Sequence, residues 1–218
     1  MDELQMQLLE KRIEKTVKAL KANNMEAMYV KTKEEALRKV KSYLLEGDTI
    51  GSGRSETLKQ IGIIDYLSEH PREYNYLFRK KSEDDLFSPQ ERTEIQRRSL
   101  LSDVFLSGTN AVTENGELFN VDGNSNRVAA LAFGPRSVII VVGYNKIVKD
   151  VNAAIERVKR EAAPADALRL GRETPCVKTG ECVNCKSPDR VCCTYMLQSF
   201  QSNKNRIKVI IVGEELGY

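Results

Sequence analysis

Short β-branched runs alternate along this chain with segments whose apolar residues recur at helical spacing, and that alternation leaves few folds open. Val138 to Val142 and Val209 to Val212 contain only Val and Ile. Runs of this length and composition read as buried strands. Between the strand segments lie helical ones. Leu4, Leu8, Leu9, Ile13, Val17 and Leu20 predict an amphipathic helix over residues 2 to 22, ended by Asn23-Asn24. Thr32 followed by Glu35 opens a second helix to about Leu45. Another begins near Arg54, and Ser88-Pro89-Gln90-Glu91 starts one that runs to about Leu101. Helices are also predicted over Asn126 to Phe133 and Asp150 to Glu161.

The remaining strands are Met25 to Val30, Asp48 to Ile50, Asn75 to Phe78, Val104 to Ser107, Ala111 to Thr113, Glu117 to Val121 and Arg206 to Val212. Asn115-Gly116 is a hairpin turn signal. Pro164 onward reads as irregular. The expected fold is α/β, with a mixed, mostly parallel open sheet and helices on both faces. One domain spans residues 1–218, with a cysteine-rich segment at 165–205.

Composition narrows the function classes. The net charge is +3, from 34 basic and 31 acidic residues, so no global basic field argues for nucleic acid. No stretch approaches the roughly 20 apolar residues of a membrane span. The acidic, polar start Met1-Asp2-Glu3 is unlike a secretory signal, so the expected location is cytoplasmic with reduced thiols.

Three loops follow predicted strands, where open α/β sheets hold ligands. In Gly51-Ser52-Gly53-Arg54-Ser55, backbone N–H groups and the following helix start can form an anion nest, and Arg54 adds a fork for phosphate or carboxylate. The plain alternative is a tight turn. Asp122-Gly123-Asn124-Ser125-Asn126-Arg127 carries more polar chemistry than a helix cap needs, with Asp122, Asn124, Asn126 and Arg127 as candidate ligand contacts. Asn in left-handed turns is the plain alternative there. Lys146, in Gly143-Tyr144-Asn145-Lys146, is a candidate anion partner, although a solvated lysine is commoner. Arg54 and Arg127 are expected to share one anion site. Glu114, beside the turn, is a candidate nucleophile or base; an exposed hairpin residue is the commoner outcome. The single histidine, His70, lies in a polar loop away from these segments, which leaves a Ser-His-Asp triad without support.

Four blocks together resemble the signature of the lactate-utilisation (LUD) family. They are Ser107 to Gly116, Asp122 to Arg127, Phe133-Gly134-Pro135 and Gly143 to Val148. Gly51-Ser52-Gly53 and the ending Val212 to Gly217 fit it as well, and the resemblance covers about residues 5 to 218. It implies a sugar-phosphate isomerase or CoA-transferase-like fold. It also implies a link to L-lactate oxidation, in which a member of the family acts beside iron–sulfur oxidoreductase proteins. Glu114-Asn115-Gly116 is similar to the motif around the nucleophilic Glu of class I CoA-transferases, which keeps transferase chemistry as an alternative.

All five cysteines fall late in the chain, as Cys176, Cys182, Cys185, Cys192 and Cys193, with Gly180 and Pro188 permitting turns between them. Four thiolates can hold zinc or an iron–sulfur cluster, and Cys176, Cys182, Cys185 and Cys192 are the preferred set. The choice between Cys192 and Cys193 stays open. Free thiols and disulfides are the other outcomes. The expected protein is thus a ligand-binding or accessory component in organic-acid utilisation with a cysteine-bound metal. The alternatives are an enzyme on an anionic metabolite, and a redox or interaction module centred on the cysteines.

Overall fold

The computed structural model describes residues 3–79 and 87–218; Asp2, the expected first residue of the opening helix, lies outside them. In chain order the helices are α1 Glu3–Ala22, α2 Lys33–Lys41, α3 Glu56–Gln60, α4 Ile63–Glu69, α5 Pro89–Ser99, α6 Asn126–Ala132, α7 Val151–Arg157, α8 Ala163–Arg169 and α9 Pro175–Thr179. The strands are β1 Glu26–Val30, β2 Thr49–Ser52, β3 Asn75–Tyr76, β4 Val104–Ser107, β5 Ala111–Thr113, β6 Leu118–Asp122, β7 Ser137–Gly143, β8 Ile147–Val148, β9 Thr194–Gln198 and β10 Ile207–Val212.

The fold is α/β, as the strand–helix alternation predicts. Six strands in the order β1-β10-β7-β4-β2-β3 form a sheet whose pairs are all parallel. Period-two geometry assigns its faces. Val138, Ile140 and Val142 of β7, with Ile207, Val209 and Ile211 of β10, pack on one side against Leu9, Ile13 and Leu20 of α1. Ile139 and Val141, with Ile210 and Val212, pack on the other against α2, α3 and α4. A strand covered on both faces has no polar alternation, which is why these segments are continuously aliphatic.

The single mixed sheet expected from sequence is instead two sheets. The hairpin β5–β6 leaves the parallel sheet and joins β8 and β9 in the order β8-β5-β6-β9. Strand β9 and helices α8 and α9 also correct the reading of the stretch between Pro164 and the final strand as irregular. Pro164 does not end the preceding helix, because a wide π turn over Val158–Ala162 carries α7 into α8 and places the proline in the first turn of α8. A proline there needs no N–H partner.

The hairpin tip is packed. Gly116 has φ +78°, and a Cβ on it would run into the backbone of Ala19 and Leu20 in α1. Asn23 Nδ2 donates to the carbonyls of Asn115 and Gly116, both at 2.9 Å. No helix among the described residues is long and apolar enough to cross a membrane.

Candidate functional site

The carboxyl ends of β2, β4, β7 and β10 open onto one cleft of about 340 Å³, where parallel sheets of this kind hold ligands. Ser52 ends β2 and Gly53 follows it, Gly108 follows β4, Lys146 comes from the 3-10 turn after β7, and Gly217 and Tyr218 come from the tail after β10. Asp122 at the end of β6, Asp166 and Arg169 of α8, and Asp189 and Arg190 of the cysteine segment complete the walls. Among the described residues, seven cationic side chains line the cleft against four acidic ones. The molecule's small positive excess is concentrated here.

Lys146 has the least ordinary surroundings. It is 4% exposed, and its Nζ donates to Thr57 Oγ1 at 3.2 Å. None of the ion pairs among the described residues includes it. Burial, then the charges of Arg157 and Arg127, push its pKa down to about 7. Desolvation beside like charge disfavours an ammonium, and such groups cluster at functional sites. The chain's ending closes over it. A Cβ on Gly217 would stand 2.7 Å from Thr57 Oγ1 and 2.9 Å from Lys146 Nζ, and φ there is +61°. The tail is fixed by Gly217 N–H donating to Gln60 Oε1 at 2.7 Å and Leu216 N–H donating to Asn145 Oδ1 at 3.1 Å.

Arg157 stands behind Lys146, 7% exposed, donating to the carbonyls of Asn145 (3.3 Å) and Asn110 (2.7 Å). Its acidic partner among the described residues, Glu161 at 3.6 Å, is largely solvated. Arg127 is committed on every side. Nε donates to Asp122 Oδ1, Nη1 to Asn120 Oδ1 and the Gly108 carbonyl, and Nη2 to Asn110 Oδ1 and the Val121 carbonyl. Five donors meet five acceptors. Arg127 therefore braces β6 against the loop after β4 and supplies positive potential, without a free fork for a ligand.

The other expected residues divide. Arg54 and Arg127 line the same cleft, as do Ser52, Gly53, Ser55, Asp122, Asn124 and Asn126. Gly51 does not, because it packs against Ser99 and Phe105. The polar groups of the first loop are largely spent locally: Gly53 N–H donates to the Leu106 carbonyl, Ser55 Oγ accepts from Leu58 N–H, and Ser52 Oγ bonds the Tyr76 hydroxyl. Asp122 Oδ2 accepts from the amides of Arg127 and Val128 at the start of α6.

Glu114 lies outside the cleft. Its carboxylate pairs with Lys15 at 2.9 Å and Arg12 at 3.2 Å on α1, and these contacts, Lys15 foremost, hold its pKa below the usual range. Its carboxylate is thus committed to α1 and stands apart from the residues that line the cleft. His70 is also remote, stacked on Tyr66 with Nδ1 2.7 Å from the Tyr66 carbonyl.

Thr57, Arg157 and Tyr218 are not singled out by the sequence reading. Arg157 carries a local signal, a cation three residues after Ala154 and one before Val158 on an otherwise apolar helical face. Thr57 and Tyr218 carry none, since their role comes from the approach of the chain's ending to α3.

Cys176, Cys182, Cys185 and Cys192 border a second, small pocket, while Cys193 faces the cleft. All five thiols are free of disulfides. Among the described residues, no three His, Cys, Asp or Glu side chains are gathered tightly enough, as they stand, to hold a metal ion.

No curated protein matches the chain. A solved structure described as a DUF162 family protein from Deinococcus radiodurans is similar to it at 15% identity, covering 95% of this chain and 98% of that one with a TM-score of 0.47. The model of the LUD domain family matches residues 13–212. With nearly the whole chain inside that match, the protein belongs to the LUD domain family.

Proposed function

We propose that the cleft binds a small anionic metabolite and that Lys146 is its charge partner. The observation that carries this is a buried lysine with no carboxylate partner among the described residues, set beside two arginines at the carboxyl end of a parallel sheet. A folded chain bears the cost of such a cation where a ligand's negative charge offsets it. Arg127 and Arg157 add field, and the amides of Asn124 and Asn126 lie at the rim to fix orientation. In the setting that the LUD resemblance implies, the ligand is an organic acid, and the protein is an accessory or ligand-binding component of lactate or organic-acid utilisation beside iron–sulfur oxidoreductases.

An enzyme acting on the same anion, CoA-transferase-like or sugar-phosphate isomerase-like, is the second reading. The observation favouring it is the depressed pKa of Lys146, because an amine titrating near 7 can take a proton from a bound substrate. That assigns any chemistry to Lys146 and not to Glu114. The case for a cysteine-bound metal, zinc or an iron–sulfur cluster, rests on the separate thiol pocket.

The test is a thermal-shift panel of lactate, pyruvate, inorganic phosphate and the neutral lactamide at pH 6.5. At least one anion is expected to raise Tm, lactamide is not, and Lys146→Met is expected to abolish the response. Anions that fail to shift the wild type, or that shift Lys146→Met equally, contradict the proposal.

A further inference from the structure

We infer that Cys176, Cys182, Cys185 and Cys192 hold one thiophilic metal ion of the zinc class, and that this ion fixes the wall the cysteine segment gives to the cleft. The second half rests on the anion-binding reading; the first stands without it.

The ligand set comes from placement. Four thiols, spread from the start of α9 to the residue before Cys193, border one pocket, and the fifth does not. Cys192 and Cys193 are neighbours facing opposite sides of the chain. Cys192 looks into the thiol pocket, and Cys193 lines the anion cleft with its Sγ 3.5 Å from the Arg190 carbonyl. The sequence prefers Cys192 without securing the choice; the two residues line different pockets.

The surroundings suit a closed structural site. Ala163 and Ala167 of α8 give an apolar wall. The pocket that these four cysteines border is about 20 Å³, on the order of a single water-sized centre, the scale of one ion. Arg190 Nη2 stands 3.4 Å from Cys192 Sγ, and Nη1 donates to the Cys185 carbonyl at 2.7 Å. A divalent ion with four thiolates carries a charge of −2, and a guanidinium at one sulfur offsets it as an outer-shell partner. The thiols border the pocket without being gathered around a centre. A cysteine thiol swings on one torsion among three staggered positions, so closing on an ion needs side-chain rotation. Binding replaces four S–H protons by one metal ion, with the protons released to solvent and no change of oxidation state.

The two sites share a wall. Arg190 and Val191 border both. Cys193 N–H donates to the Asp122 carbonyl at 2.9 Å, tying the segment to the end of β6 and so to the loop that carries Asn124, Asn126 and Arg127. An ion holding Cys185 and Cys192 therefore sets where the 188–193 stretch stands against the cleft.

The experiment uses the full chain purified anaerobically. Metal analysis is expected to find about one zinc per chain, with a single thiol reacting rapidly with a disulfide reagent and four reacting only after zinc is removed by a strong chelator. Cys193→Ser should keep the metal and lose the fast thiol; Cys192→Ser should lose the metal. Five equally reactive thiols with metal below about 0.1 per chain overturn the site, as does metal kept in Cys192→Ser and lost in Cys193→Ser. Iron with acid-labile sulfide overturns the single-ion assignment. Calorimetric titration with pyruvate and with inorganic phosphate, before and after zinc removal, tests the coupling. A loss of tenfold or more in the affinity of whichever binds supports it, and unchanged affinity overturns it. Failure of both anions to bind the zinc-loaded protein counts against the anion reading and the coupling and leaves the zinc content standing.

Discussion

At the scale of single residues, Lys146 opposes stability where most buried groups support it. Its pKa falls from the ordinary 10.5 to about 7 in the folded chain. Between those values the unfolded chain binds the extra proton, so stability rises with pH through this window. Below about pH 7 the full cost of a buried ammonium is present, and above about 10.5 it vanishes. Lys146→Met is therefore expected to raise Tm, with a gain of order 2 kcal/mol larger at pH 6 than at pH 9. Calorimetric unfolding at the two pH values checks this, and a variant less stable than wild type at pH 6 contradicts it. Arg127 is the opposite case. Arg127→Lys keeps the charge and gives up most of five hydrogen bonds, so a loss of about 2–4 kcal/mol is expected in denaturant unfolding. A change under about 0.5 kcal/mol would show the brace to be idle. Lys146 illustrates what the sequence withholds. Its position after a strand is legible, but its burial comes from Arg157 on the next helix and from Thr57 and Gly217, two distant parts of the chain.

At the scale of elements, local signals are legible where the element closes on itself. Ser88 and Glu91 form the full reciprocal capping box that their spacing announces, with Pro89 in the first turn of α5. Thr32 caps α2 by accepting from Glu35 N–H, but Glu35 turns its carboxylate to Lys31 N–H, so only half of that box forms. The second sheet is not legible. Its outer strand β9 lies just past the cysteines, and its exposure alternates along an edge too short to announce itself. The Asn115-Gly116 turn is legible as a turn but not as a packed one, because the approach of α1 is a tertiary fact. Gly116→Ala imposes both a left-handed φ and a clash with α1 backbone. A loss of about 2–3 kcal/mol is expected, roughly 5–10 °C in Tm for a chain of this size. An unchanged Tm would mean that α1 is not seated on the hairpin.

At the scale of the whole molecule, the two sheets and the cysteine segment meet at the cleft. The parallel sheet supplies Lys146 and the closing tail, the second sheet supplies Asp122 and the loop braced by Arg127, and the cysteine segment supplies the outer wall. The parallel architecture is legible because its central strands are buried on both faces and spell that out. The loops that line the cleft are legible in the sequence, and the contacts between them are not. Bound anion raises the pKa of Lys146, so affinity is expected to fall as pH rises above about 7. The most direct test of the central claim is calorimetric titration of wild type and Lys146→Met with the anion that gives the largest thermal shift, at pH 6.5 and pH 8.5. Binding that weakens between the two pH values in the wild type, and that is at least 100-fold weaker in Lys146→Met, is the predicted result. Equal affinity in the two proteins, or wild-type affinity indifferent to pH, would contradict the assignment of Lys146 as the charge that holds the ligand.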